Sequence, residues 1–266
     1  MMMTSKEAKE MLRANETGKE INWQDWLTRW HHQQAGYLPQ RAGRFELMLD
    51  YVSKQRGTGE LKILDLCSGP GSISEVALKR FPNASIVAVD YDPWLLEIGR
   101  QVPGLDRIRW VEADLRNDDW LREVAPASFD AVLSATALHW FKADELVHLY
   151  KNLAGVMAEG GIFLNADHQL VRAPQLTEIG RQLRQEWQVP NFKQSGVEDW
   201  EQYWGAARAE QAFKELIAER DLRFGQGKHG IEVTVNFHQE ALLAAGFQEV
   251  GEVWRYENDA FVAAIR

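Results

Sequence analysis

Across 266 residues, 45% apolar and 26% charged, the chain has the proportions of a folded globule, with room for one large domain or a core and a cap; a disordered or fibrous chain is excluded. A formal charge of −9 with no Lys/Arg stripe opposes a phosphate polymer, so no nucleic acid is expected as a partner. The lone Cys67 excludes a disulfide framework and a cysteine-rich zinc site; no window reaches ~18 uncharged apolar residues, so the expectation is a cytoplasmic protein without a membrane partner, monomer or homodimer.

Residues 1–20 are polar and read as a frayed end without an export signal. Trp23, Trp26, Leu27 and Trp30 then recur at i, i+3, i+4, i+7, which predicts an amphipathic helix, and Phe45, Met48, Leu49 and Val52 predict a second. The segment RGTGE ends it. From Leu61 short apolar runs alternate with helical patterns: LKILDL, a helix over 74–80, SIVAVD, a helix over 94–101, RIRWVE, FDAVLS, a helix over 144–157, and GGIFLNA. Five buried runs in this rhythm predict a Rossmann-like, doubly wound α/β sheet, mostly parallel. Residues 169–230 interrupt it with two helical stretches, the second carrying Trp200, Tyr203, Trp204 and Ala207 on one face. A helix at HQEALLAAG and two strands, QEVGEVW and AFVAAI, close the sheet as an antiparallel hairpin. The expected division is an N-terminal helical lid (1–59), a ligand-binding domain (60–168 and 231–266) and a helical cap insert (169–230). Eleven tryptophans provide flat surfaces that serve either a cavity wall or plain core filling.

Three carboxylates mark the carboxyl edge. Asp65 ends a buried strand that runs into Cys67-Ser68-Gly69-Pro70-Gly71, a turn whose glycines allow a ligand to approach the backbone and take conformations barred to other residues. A carboxylate there is costly unless something satisfies it, and its place before the turn suits an amino or amide donor. Asp90 closes the next strand, where an acidic side chain accepts both hydroxyls of a ribose. Asp114, beyond the third strand, is placed to accept from an adenine amino group.

In these residues the chain resembles the class I S-adenosylmethionine-dependent methyltransferases, of the small-molecule type that includes the trans-aconitate methyltransferases. That family's acidic-x-Gly-x-Gly-x-Gly motif is matched by Asp65, Gly69 and Gly71, with Cys67 in the first glycine position. Residues 129–140, the Glu159-Gly160-Gly161 turn and Ala245-Gly246-Phe247 are also similar; over the N-terminal helices and the insert the likeness is general. The resemblance implies S-adenosylmethionine as cofactor, with S-adenosylhomocysteine as product. The glycine loop would cradle its methionyl end, Asp90 the ribose, and Asp114 with Leu115 the adenine. Ser68, Tyr91, Ala135 and Arg44 complete the expected cofactor set. Arg41 is also singled out, since an N-terminal arginine in such enzymes lies near the cofactor carboxylate or the acceptor.

His139 and His168, each just past a central strand, are the candidate general bases, with packing or loop anchoring as the plainer alternative. Trp26, Tyr37, Trp140 and Trp204 are expected to face a small-molecule acceptor. Asp114 and Asp167 do not supply the three or more converging oxygens of a hard-metal site, so no metal is expected. A carboxylate acceptor needs no base, whereas an amine, phenol or carbon acid does. Three other outcomes stay open, a different reaction on the same cofactor, a non-catalytic module that senses it, and a nicotinamide-dependent oxidoreductase; Asp65 argues against the last because it would oppose a pyrophosphate.

Overall fold

The computed structural model describes residues 21–125, 128–194, 196–225 and 233–266. Two helices open it, α1 (Trp23–Tyr37) and α2 (Arg41–Arg56), burying the Trp23 and Phe45 stripes that their spacing predicts. The alternation follows: β1 (Lys62–Leu66), α3 (Ser72–Arg80), β2 (Ser85–Asp90), α4 (Pro93–Gln101), β3 (Arg109–Glu112), α5 (Asp119–Val124) and β4 (Phe129–Ala135). A 3-10 turn (Leu138–Trp140) then leads to α6 (Ala143–Val156) and β5 (Met157–His168). After β5 come α7 (Pro174–Gln194), α8 (Trp200–Ala209), a 3-10 turn (Gln211–Phe213) and α9 (Lys214–Phe224), and the chain closes with α10 (Val235–Ala244), β6 (Glu249–Tyr256) and β7 (Asp259–Ile265).

The strands form one sheet in the order β3-β2-β1-β4-β5-β7-β6. The first five are parallel, and β7 runs antiparallel to both β5 and β6, as the expected hairpin requires. Because the order reverses between β1 and β4, the loops leaving their carboxyl ends part to opposite faces and open a crevice. Alternate strand residues feed two cores. Ile63, Ala131, Leu133 and Leu164 meet α1–α4 and the insert, while Leu64, Val132, Phe163 and Val262 meet α5, α6 and α10.

Local chemistry sets the helix starts. Asp92 caps α4 by accepting from Trp94 N and Leu95 N, with Pro93 next in line. Asp199 and Gln202 form a reciprocal capping box on α8, and Thr234 accepts from Phe237 N at α10.

Two expectations are corrected. The insert holds three α-helices, not two, and α5 was not anticipated between the third and fourth strands; it is six residues long, too short for a helical period, and buries Trp120 and Val124. The tail of the insert and residues 1–20 lie outside the described residues. Much of the tryptophan surplus is core. Trp26 meets Trp94, Tyr203 and Phe213 at 5.3–5.7 Å between ring centres, edge-on contacts worth about 0.5–1.5 kcal/mol each that join α1, α4 and the insert.

Candidate active site

A cavity of about 780 Å³ opens over the carboxyl ends of β1, β2, β4 and β5, between α1, α2 and the insert. Its floor begins with Asp65. Oδ2 accepts from Ser74 N at 3.2 Å and Ser74 Oγ at 2.6 Å, whereas Oδ1 is buried without a partner among the described residues. Burial pushes this carboxyl up to about 7, against the pull of the Ser74 hydrogen bonds. Beside it the turn exposes Cys67, Ser68 and Gly69 to the cavity. Cys67 keeps a left-handed φ of 52°, the conformation for which the motif's glycine is suited. Gly71 does not line the cavity; at φ 85° a Cβ there would strike the Trp110 ring at 2.4 Å, so the indole, not a ligand, demands the glycine.

Asp90 accepts from Gly69 N and Asp92 N, both at 2.7 Å, which holds both oxygens at the cavity wall. Asp114 is gripped by Arg116 through Nε at 2.8 Å and Nη2 at 2.7 Å; burial acts against its ionisation, but these bonds keep the carboxyl below its ordinary value. Leu115, Tyr91 and Ala135 line the same side, and the Tyr91 ring is covered by the guanidinium groups of Arg116 and Arg223 at 5.4 and 4.9 Å.

Across the crevice, Asp167 organises the loop after β4. Its carboxylate accepts from His139 N at 2.9 Å and His168 N at 2.8 Å and meets His139 Nδ1 at 2.7 Å. Burial alone would raise its pKa, yet the two histidines hold it below the aspartate range. Thr136 starts this loop with φ 52°, a strained conformation for a β-branched residue that costs about 1–3 kcal/mol. His168 turns the other way, its Nδ1 on Asp259. Asp259 also takes Arg44 at 2.5 Å and Arg184 at 3.3 Å.

Residues 63–161 match the family described as "Methyltransferase domain". This stretch is similar to that family over 99 of the 266 residues. Malonyl-[acyl-carrier protein] O-methyltransferase of Bacillus cytotoxicus is 31% identical over 97 residues, 36% of this chain and 32% of that protein. Trans-aconitate 2-methyltransferase of Azoarcus is 30% identical over 134 residues, 48% and 49% of the two. The chain thus spans about a third to a half of the length of these curated relatives. Among solved structures, an O-methyltransferase family protein from Burkholderia thailandensis superposes with TM-score 0.55 at 18% identity, covering 83% of this chain and 55% of that one. A TehB-like S-adenosylmethionine-dependent methyltransferase from Corynebacterium glutamicum gives 0.52 at 14%, covering 91% and 96%. At these identities the structural likeness is one of fold, a class I Rossmann-like sheet.

The crevice gathers most of the residues singled out in the sequence. Asp65, Cys67, Ser68, Gly69, Asp90, Tyr91, Asp114, Leu115, Ala135, His139, His168, Tyr37, Trp140 and Trp204 line one cavity. Arg44 does not. It is buried, donating to Pro39 O and Asp259, because it points off the face of α2 that carries Arg41 and Phe45, both of which line the cavity. Trp26 is likewise displaced into the aromatic core. Arg184 and Gln188 of α7 and Arg220 of α9 are lining residues that sequence reasoning missed, since their helices carried no motif.

Proposed function

We propose that the protein transfers the methyl group of S-adenosylmethionine to a small-molecule acceptor, releasing S-adenosylhomocysteine. The supporting observation is the row of carboxylates, Asp65, Asp90 and Asp114, at successive strand ends along one cavity wall, the first with an orphaned buried oxygen. That oxygen fits an ammonium donor and opposes a phosphate, which disfavours the nicotinamide reading. Asp65 would hold the cofactor's amino group, Asp90 its ribose hydroxyls, and Asp114 with Leu115 its adenine; Ser68, Gly69, Tyr91 and Ala135 complete the wall. Arg41 takes the role expected of Arg44. Desolvation lowers its guanidinium to about 10, still charged at neutral pH. It meets His31 Nδ1 at 3.1 Å; since an arginine only donates, that nitrogen accepts, and His31 Nε2–H donates to Glu75. Arg41 is left to match a carboxylate.

The bound sulfonium supplies an electrophilic methyl group. The chain's own residues align the acceptor and keep water out. With Nδ1 held by Asp167, His139 presents Nε2 as the base; His168, engaged by Asp259, orients the loop. We assign the acceptor side to 1–59, Arg41 apart, and 169–230, and the cofactor side to 60–168 and 231–266. Among the described residues no helix is long and apolar enough to cross a membrane, in keeping with a cytoplasmic enzyme, monomer or homodimer, whose partner is a small molecule.

Calorimetry with S-adenosylmethionine tests this. Asp90→Ala should weaken binding by about 1.5–3 kcal/mol, roughly tenfold to 150-fold. An unchanged Kd, or no binding by the unaltered protein, sinks the assignment.

A further inference from the structure

The chemistry of the acceptor follows from the far end of the same cavity and rests on the cofactor reading above. Aromatic side chains from three separate segments converge there: Trp30 and Tyr37 of α1, Trp140 and Phe141 at the turn after β4, and Trp200 and Trp204 of α8. Trp200 lies 6.1 Å from Trp30 and 5.5 Å from Trp204, ring centre to ring centre, which joins these three rings into one surface. Trp140 and Trp200 leave 45% and 38% of their area exposed. Exposed indoles facing a cavity are what a flat apolar body covers.

The cations around the cavity tell against an anionic acceptor. Arg116 is paired with Asp114, Arg184 with Asp259 and Glu257, Arg220 with Asp92, and Arg223 with Glu112. Among the described lining arginines, Arg41 alone has no carboxylate partner. Through His31 and Glu75 it is tied to α3, the helix that opens from the glycine loop, so it belongs to the cofactor end. A di- or tricarboxylate entering the remaining space would lose hydration and meet only Arg184 Nη2, which has no hydrogen-bond partner among the described residues but belongs to a guanidinium already shared by Asp259 and Glu257.

The His139–Asp167 dyad bears on the atom that is methylated. A carboxylate is already ionised at neutral pH and gains nothing from a base, whereas an aromatic hydroxyl must lose a proton. The Trp140 ring centre is 5.5 Å from that of His139, so a ring lying on this indole brings its substituents within reach of the imidazole.

We propose that the acceptor is a flat aromatic hydroxyl compound, a phenol or fused-ring phenol, seated on Trp140 and Trp200 with its hydroxyl at His139. In the step, the hydroxyl proton passes to His139 Nε2 and the oxygen bonds to the methyl carbon. The donor's carbon–sulfur bond breaks with its electron pair left on sulfur. The products are the aryl methyl ether, S-adenosylhomocysteine and a proton, which the imidazolium then gives up to solvent.

The test offers the full-length protein, saturated with S-adenosylmethionine, either naphthol and dihydroxynaphthalene or trans-aconitate and decanoate, and follows S-adenosylhomocysteine. Turnover of the naphthols at least tenfold above the acids is expected. Trp140→Ala and Trp200→Ala should raise the naphthol KM about tenfold while moving the cofactor Kd less than twofold. His139→Gln should cut kcat for naphthol by about 10²–10⁴, and far less for para-nitrophenol, which ionises without help. Preferred turnover of the acids overturns the proposal, as does cofactor binding with no turnover of any phenol. Failure to bind the cofactor is a separate result, read in the calorimeter before any acceptor is added, and it removes the reading on which the proposal stands.

Discussion

Asp65 holds its carboxyl near neutrality because burial outweighs two hydrogen bonds from Ser74. An ammonium placed against Oδ1 would reverse that balance, so cofactor binding should expel the Asp65 proton whenever the protein starts with one. The sign follows from the raised value. Above about pH 7 the side chain is already ionised and affinity is flat; below it, Kd should rise by up to tenfold per pH unit. Calorimetry in buffers of different ionisation enthalpy at pH 6 measures the proton released, and Asp65→Asn should abolish it. Asp259 shows the opposite case. Burial opposes its ionisation, but His168, Arg44 and Arg184 hold the carboxyl well below the usual range, so its contribution is present above the ordinary aspartate pKa and fades on acidification. Asp259→Ala would strand the buried Arg44 and should cost about 3–5 kcal/mol in denaturant unfolding. The three strand-end aspartates were legible in the sequence because strand position alone fixes where they point. Arg41 and Arg44 were not separable. They sit one turn apart, and only the packing of α2 on β5 and β4 decides which reaches the cavity.

The helices differ in how plainly they announce themselves. α1 and α2 carry apolar stripes over about two turns each, and the strands are near-continuous apolar runs, so both could be read with little ambiguity. α9 buries only Ile217 within its span and so leaves almost no periodic trace, which is why the spacing predicts two helices for an insert that holds three. How α7 docks is a tertiary matter altogether. Phe192 packs on Tyr37 at 4.5 Å, and Gln188 Nε2 donates to Tyr37 O at 3.1 Å. Phe192→Ala removes most of that contact and should free α7 by about 1–2 kcal/mol. Hydrogen exchange would show faster opening across α7 with β1–β5 unchanged; uniform acceleration would mean that the insert and the sheet open as one unit.

On the scale of the whole molecule, the order of the sheet puts every site element at one edge, and two very different surfaces face each other there. One is a row of acids and glycine turns from the Rossmann-like half, the other a set of aromatic rings from the terminal helices and the insert. Only the first follows a motif, which is why the acceptor could not be read from the chain and depends on how helices far apart in sequence converge. Trp110 reaches that edge from behind. Its indole lies between Gly71 and Gly99, where an added Cβ would meet it at 2.4 and 2.2 Å. The ring acts as a shim under the glycine loop, so its thickness sets the height of the loop. Gly99→Ala, on the outer side of that shim, should press the loop forward and loosen S-adenosylmethionine severalfold without altering any atom of the cavity wall, and trimming the shim by Trp110→Phe in the same chain should restore the grip.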